Sequence, residues 1–326
     1  MKRWSFKNFF LVCFILLGLF YSFPTVGQVN YPTQPIKILV GYPPGGNVDI
    51  GVRILAESAS KIFGQPVVVE NKPGGNSYLA FVTTMDSKPD GYTLCETGSL
   101  KYDCSVMFDK VPRKVEDGSI IACYFSIVHG VAVKADAPWN TFKDLVEYAR
   151  ANPGKVTYST PNAGGPTHLA MVMVGKKEKI NWKVVPYPGL APCVPAVLGG
   201  HVTAIAGLAG VHLEQVRAGK LKLLTITGGA RLPDFPDIPT LMDLGYDIAV
   251  SHDFGLAGPK GIDPLILGKL RYVFAKVAKE EKFQDFLKSN NIPFTPMDAE
   301  KYIQYLKRNL ELHSPIIEEL GLAYKK

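Results

Sequence analysis

Two glycine-rich stretches hold the residues best suited to bind a small molecule. The first reads GYPPGGNVD and ends at Asp49, and the second reads STPNAGGPTH and ends at His168. Each lies between an apolar run and a segment whose apolar residues recur at helical spacing. Glycines let the backbone approach a ligand closely, and the start of a helix offers unpaired N–H groups and the positive end of its dipole. Both stretches therefore predict an anion-holding turn between a strand and a helix.

The polar side chains of these two loops leave two interpretations open. Asp49 either caps the following helix or accepts a hydrogen bond from a ligand group or a bound water. His168 either holds backbone at a helix start or contacts a ligand. Thr160, Asn162 and Thr167 add neutral donors to the second loop.

A third stretch, VPYPG, places Tyr187 at the end of a predicted strand, where an aromatic side chain either lines a cleft or packs in the core. The chain has no G-x-S-x-G, no H-E-x-x-H and no phosphate-binding G-x-x-x-x-G-K-[ST]. Catalytic triads are defined by geometry, which the sequence does not show. A hydrolase therefore stays an open alternative, in which Asp49, His168 and the pair His252–Asp253 would meet in the cleft.

Strand and helix patterns alternate from Ile36 onward and predict an α/β fold. IKILVGY, PVVVE and DGYTLCE read as strands of a βαβαβ opening, and a second α/β unit begins at VHGVAVKAD. Within that unit, Thr141 followed by Asp144 predicts a capped helix over residues 141–151. The tail from Pro264 is helical. We expect two lobes joined by crossing strands, with the ligand cleft between them.

The N-terminus has the layout of a secretory signal peptide over residues 1–27. Lys2, Arg3 and Lys7 precede an apolar stretch of 13 residues, from Phe9 to Tyr21, and small residues follow as far as Gly27. A spanning helix needs roughly 20 apolar residues. An uncleaved anchor is the alternative.

Charge and cysteine content exclude some classes of function. The formal net charge is +7 over 326 residues and falls to +4 without the three basic residues of the leader. No Lys/Arg cluster is interleaved with aromatics, which argues against nucleic acid as a partner. No C-x-x-C is present, so metal binding is not indicated. Export permits disulfides, and buried free thiols are the equal alternative, for Cys95, Cys104, Cys123 and Cys193.

The motifs together resemble a known family. Besides the two loops, the chain contains GQPVVVENKPGGN, KPDGYTL, VPYPGLAPCVPAVLGGHV and AGKLKLLTITGGARLPDFPDIPTLMDLGY in that order. This ordered set is similar to the periplasmic solute-binding proteins of tripartite tricarboxylate transporters, often called the Bug or TctC family. The resemblance implies a two-lobed type II periplasmic-binding-protein fold, with residues 28–128 and 252–326 in lobe 1 and residues 129–251 in lobe 2.

The same resemblance implies what the protein binds. We expect a periplasmic, non-enzymatic monomer that captures a small organic acid without a cofactor and passes it to a large and a small membrane subunit. A receptor that feeds a signalling protein is the alternative. The two loops are expected to pinch one carboxylate of the ligand. The expected ligand-binding residues are Tyr42, Pro44, Gly45, Gly46, Asp49, Thr160, Asn162, Gly164, Gly165, Thr167, His168, Tyr187 and Asp253.

The chain departs from the family pattern at four positions. Gly165 stands where a serine is usual, and Asn162 stands for a glycine. Pro188 replaces the lysine of Tyr-Lys-Gly, and Thr203 replaces an aspartate. Most of the residues expected to bind one carboxylate are thus retained. The identity of the acid and the presence of a second acidic group stay open.

Overall fold

A computed structural model describes residues 30–75, 77–161, 163–187 and 189–325, except the side chain of residue 211. The predicted signal peptide at residues 1–27 and the predicted site residue Asn162 lie outside the described residues. The fold is that of Pro32–Lys326, which forms one compact unit. Among the described residues, no helix combines the length and apolar character that a membrane crossing requires.

Strands and helices alternate through most of the described ranges. The strands are β1 (Ile36–Val40), β2 (Val67–Asn71), β3 (Thr93–Thr97), β4 (Gly118–Lys134), β5 (Thr157–Thr160), β6 (Lys183–Pro186), β7 (Ala204–Leu208), β8 (Leu221–Ile226), β9 (Ser251–Pro259) and β10 (Phe294–Met297). The helices are α1 (Asn47–Phe63), α2 (Tyr78–Met85), α3 (Ser99–Phe108), α4 (Phe142–Ala151), α5 (Pro166–Glu178), α6 (Cys193–Leu198), α7 (Ala209–Arg217), α8 (Pro264–Val277), α9 (Glu281–Ser289) and α10 (Ala299–Glu319).

The sheet has the same arrangement on both sides of a central strand pair. Its order is β2-β1-β3-β9-β4-β7-β5-β6, and β8 and β10 also pair with β4. Strand β1 runs parallel to both β2 and β3, and β5 runs parallel to both β6 and β7. The antiparallel pair β4 and β9 separates these two parallel groups. The predicted two-lobed α/β fold is confirmed.

Strand β4 crosses from one lobe to the other. Its first part, as far as Val128, pairs with β9, and its second part, from His129, pairs with β7. Thr97 at the end of β3 pairs with Gly255 near this crossing, and Leu208 at the end of β7 pairs with His129. Since β1 is parallel to β3 and β5 to β7, the carboxyl ends of β1 and β5 approach the crossing from opposite sides. We therefore expect the glycine loops that follow them to border one crevice.

Three elements differ from the sequence-based expectation. The tail from Pro264 is not wholly helical, because β10 lies between α9 and α10 and pairs with β4. Strand β4 begins well before VHGVAVKAD, because nearly all of its residues are buried and the strand shows no polar alternation. Helix α3 was not predicted. Its buried residues include Lys101 and Asp103, which find partners inside the protein, so the helix lacks an apolar stripe.

All four described cysteines are buried free thiols, so of the two alternatives for them the disulfides are wrong. Each lobe has its own apolar core, and a smaller cluster joins α3, α5 and α10. That cluster includes Val106, Leu169 and Ile317. Residues of both lobes therefore pack together beside the second glycine loop, which precedes α5.

Candidate functional site

The first glycine loop joins β1 to α1 and presents the start of that helix. Gly45 has a φ of 87°, in the left-handed region that favours glycine, and Gly46 is the N-cap. Pro44, Gly45 and Gly46 are exposed. The first helical hydrogen bond runs from the N–H of Ile50 to the carbonyl of Gly46, at 2.9 Å. The N–H groups of the first turn before Ile50 therefore have no helical acceptor and can bind an anion.

Asp49 holds this loop in place. One carboxylate oxygen, Oδ2, accepts from the N–H of Gly45 and from Nε of Arg53, both at 2.9 Å. The other, Oδ1, accepts from Nδ2 of Asn71 at 2.7 Å. Burial alone would raise the pKa of Asp49, but the hydrogen bonds from Arg53, Gly45 and Asn71 hold it below its ordinary value. Asp49 is the third helical residue rather than the N-cap, and its charge fixes the glycine turn.

The second glycine loop repeats this construction between β5 and α5. Gly164 has a φ of 75°, Gly165 is the N-cap, and Leu169 donates to the carbonyl of Gly165 at 3.0 Å. The N–H of Gly164 donates to Nδ1 of His168 at 2.8 Å. Burial lowers the pKa of His168. Because Nδ1 accepts this bond, the neutral ring carries its proton on Nε2.

Two threonines and a tyrosine surround this loop. The hydroxyls of Thr160 and Thr167 lie 2.8 Å apart, and both side chains are buried. The N–H of Tyr187 donates to the carbonyl of Thr160 at 2.9 Å, which places the half-buried Tyr187 beside the second loop. The structure thus brings Thr160, Thr167, His168 and Tyr187 together at the carboxyl ends of β5 and β6.

A buried charge pair beneath the first loop was missed by sequence reasoning. Oε1 of Glu96 accepts from the N–H of Gly41 at 3.1 Å and from Oγ of Ser77 at 2.7 Å, and it lies 3.2 Å from Nζ of Lys101. Burial would lower the pKa of Lys101, but the Glu96 carboxylate raises it above its ordinary value. Nζ of Lys101 also lies 4.8 Å from the centre of the Tyr42 ring. The one sequence signal is a pair of opposite charges, Glu96 and Lys101, on either side of Gly98 in a stretch (LCETGSLK) with no other charged residue.

Comparison with known proteins gives this arrangement a family. Residues 52–322 match the family described as "Tripartite tricarboxylate transporter family receptor". The chain belongs to this family. Its members are periplasmic solute-binding receptors, as the sequence motifs had indicated, and the resemblance is confirmed.

Individual relatives support the same assignment. The receptor is 37% identical over 312 residues to a UPF0065 protein in the gbd 5' region of Cupriavidus necator, covering 94% of each chain. It resembles the crystal structure of a TctC solute-binding protein from Polaromonas with a TM-score of 0.81, at 29% identity, covering 89% of this chain and 99% of that one. It shares the fold of MatC from Rhodopseudomonas palustris with bound malate, with a TM-score of 0.66, at 20% identity, covering 88% of this chain and 100% of that one.

Asp253 of the receptor lies apart from the two loops. Its buried carboxylate accepts hydrogen bonds from the hydroxyls of Ser99 at 3.1 Å, Ser126 at 2.8 Å and Ser251 at 2.6 Å. Burial raises the pKa of Asp253, and these hydroxyls oppose that rise. The carboxylate ties α3 to β4 and β9. Its predicted contact with a ligand stays a prediction, and the structure gives it a different set of partners.

One departure from the family pattern lies away from the crevice. The backbone N–H and hydroxyl of Thr203 bond to Thr157, at 3.0 to 3.4 Å, at the amino end of β5. The second glycine loop follows the other end of this strand. The replacement of aspartate by Thr203 therefore does not alter the receptor's glycine loops.

Proposed function

We propose that the receptor binds a small organic carboxylate in the crevice, with the helix starts of α1 and α5 holding its oxygens. The observation that carries this proposal is the matched pair of helix starts at the carboxyl ends of β1 and β5. Each has a positive-φ glycine, a glycine N-cap and a third helical residue that fixes the turn. A carboxylate has two oxygens and suits two such sets of N–H donors.

The side chains around these helix starts leave little net charge for the ligand. Asp49 is neutralised by Arg53, Lys101 is paired with Glu96, and His168 is uncharged. Attraction for an anion therefore comes from backbone N–H groups and helix dipoles, together with the hydroxyls of the second loop. Such donors hold a carboxylate without a buried unpaired cation.

Binding would be transmitted by hinge closure of the lobes about the crossing strands β4 and β9. Closure brings the two helix starts onto one ligand, and the closed form then docks differently on its partners. We further propose that residues 1–27 direct export, that the receptor works as a non-enzymatic monomer, and that it delivers its ligand to a large and a small membrane subunit. Family membership supports this delivery.

A thermal-shift screen tests the proposed ligand class. The protein without residues 1–27 is unfolded, dialysed and refolded to strip bound molecules, then screened against organic acids and their primary amides. A true ligand at a hundred times its Kd adds about 2.7 kcal/mol to the free energy of unfolding. We expect acids to raise the melting temperature and the matched amides to leave it unchanged. Equal shifts with acid and amide, or no shift with any acid, would contradict the proposal.

A further inference from the structure

Three histidines cluster where β4 crosses between the lobes. His129 lies on β4, His252 on β9 and His212 on α7. The ring centres of His129 and His252 are 4.8 Å apart, with the rings almost perpendicular, and His129 acts electrostatically on His212. His129 and His212 are 3% and 0% exposed. We call these three side chains the histidine floor.

The histidine floor is continuous with the proposed carboxylate site. The ring of Phe254 lies 5.9 Å from that of Tyr42, in the first glycine loop, and 6.3 Å from that of His252. In the other lobe, His212 lies on α7, the helix that follows β7. Leu208, the last residue of β7, pairs with His129. The floor therefore lies between the first loop and the carboxyl end of β7.

Several ring nitrogens of the floor lack a protein partner. Within the described ranges these are Nδ1 of His129, both ring nitrogens of His212 and Nε2 of His252. The remaining nitrogen of His129 donates to the backbone carbonyl of Val250. Nδ1 of His129 is therefore left as a hydrogen-bond acceptor. A buried polar atom without a partner is costly, so this nitrogen is suited to a donor supplied by a ligand.

The floor carries no positive charge at neutral pH. Burial lowers the pKa of all three rings, to about 4 for His129 and about 3 for His212. The cation that acts on His252 is Lys101, which is already paired with Glu96. No group of three or more His, Cys, Asp or Glu side chains among the described residues could hold a metal ion. A second carboxylate would thus meet the lone pair of His129 and no free cation, whereas a hydroxyl can donate to His129 and also accept from the one N–H that neutral His212 carries.

We propose that the histidine floor binds the end of the ligand remote from its carboxylate and selects an uncharged hydrogen-bond donor, such as a hydroxyl, over a second carboxylate. This inference rests on the proposed carboxylate receptor function and narrows its ligand class. The fold itself admits a dicarboxylate, since MatC holds malate. Discrimination between ligand ends therefore has to come from side chains such as these.

The test uses short straight-chain acids of matched length whose far end is a methyl, a hydroxyl or a second carboxylate. Their affinities for the stripped protein are measured by calorimetry at neutral pH. We expect the hydroxyl-ended acid to bind about tenfold more tightly than the methyl-ended acid, the effect of one net hydrogen bond. The dicarboxylate should bind more weakly than the hydroxyl-ended acid.

The variants His129→Phe and His212→Phe, made separately, keep a ring of similar shape without its nitrogens. Each should lose the preference for hydroxyl over methyl, measured as the ratio of the two affinities within the same variant. Circular dichroism and thermal melting show whether each variant has folded. The exposed His201 supplies the control, since His201→Phe should retain the full preference.

Three results would overturn the proposal. One is a wild-type protein that binds the hydroxyl-ended acid and the dicarboxylate equally. Another is a variant that lowers all three affinities by the same factor, or one that keeps the hydroxyl preference. If the wild type binds none of these acids or any acid in the thermal-shift screen, the carboxylate receptor function fails as well. If it binds acids without distinguishing their far ends, only the role of the histidines fails.

Discussion

The loop after β1 and the loop after β5 reach the same backbone geometry with different side chains. Both place a glycine at positive φ, Gly45 at 87° and Gly164 at 75°, directly before a glycine N-cap. In both, the N–H of that glycine donates to a side chain four residues later, Asp49 in one and His168 in the other. The shared requirement is an acceptor at the third helical position, and its charge is free to vary.

The two loops differ in how firmly that acceptor is held. Asp49 is charged and receives three hydrogen bonds, including those from Arg53 and Asn71, whereas His168 is neutral and its Nδ1 receives one. The first helical position is Asn47 in α1 but Pro166 in α5, which has no N–H to offer. The first loop is therefore held more firmly than the second and offers more backbone N–H donors. We expect it to contribute more of the binding free energy.

The largest effect expected from this asymmetry is that of Asp49→Ala. The substitution leaves the Gly45 N–H, Arg53 and Asn71 without their acceptor, so the glycine turn loses its fixed geometry. We expect carboxylate binding to weaken about 100-fold by calorimetry, or roughly 3 kcal/mol, with the fold kept intact.

The control for this prediction is Asp49→Asn, which keeps one acceptor oxygen and should fall between wild type and Asp49→Ala. Circular dichroism and thermal melting report whether each variant is folded. If Asp49→Ala binds as tightly as the wild type, the role given to the first loop is wrong.

Stability should show the opposite asymmetry when each positive-φ glycine is replaced by alanine. A Cβ at position 45 would meet no atom within 4 Å, whereas one at position 164 would lie 2.5 Å from Cδ1 of Leu322. Both variants carry the strain of a left-handed residue, about 1–2 kcal/mol. We expect Gly164→Ala to lose about 1 kcal/mol more than Gly45→Ala, because it also disturbs the cluster that joins α3, α5 and α10. Urea unfolding measures the loss of unfolding free energy in each variant. Equal losses would contradict the predicted difference in packing around the two loops.

The features that were predictable from sequence are local ones. The glycine loops and the capped start of α4 were read from residues within one turn of each other. Thr141 and Asp144 form the expected reciprocal bonds, at 2.9 and 3.1 Å. Such motifs specify their own hydrogen bonds, and the order of strands and helices then restricts the fold to a few arrangements.

The features that were missed are buried polar pairs between distant segments. Glu96 and Lys101 lie near each other in the chain, yet their common partner Ser77 comes just before α2, and Glu96 also accepts from Gly41 at the end of β1. His129 and His252 meet only because β4 and β9 pair at the crossing. In the sequence such residues look like polar groups within buried segments, and nothing near them in the chain identifies their partners. Their partners are set by the register of the sheet.

The smallest and sharpest test of the comparison is acidification. Both acceptors have pKa values lowered by their surroundings, Asp49 from its carboxylate value and His168 from its imidazole value. A group whose folded pKa is depressed contributes stability above its unfolded pKa, and that contribution is lost as the pH falls through the folded pKa. The window therefore opens below about pH 6.5 for His168 and only below about pH 4 for Asp49. Between these values the contribution of His168 to the free energy of unfolding should decline while that of Asp49 is unchanged.

Protonation of Nδ1 breaks the bond from Gly164, so ligand affinity should fall modestly, by about threefold, as the pH drops from neutral through the lowered folded pKa of His168. His129, His212 and His252 also titrate below neutrality, and they contribute equally to wild type and to a variant of the loop. In His168→Gln the amide oxygen accepts from Gly164 at every pH, so the difference between variant and wild type isolates the second loop. We expect the variant to have the flatter affinity profile, whereas Asp49→Asn should keep the wild-type slope over this range. Parallel affinity profiles for His168→Gln and wild type would show that the imidazole does not hold the turn. The two loops would then differ in more than the charge of the acceptor side chain.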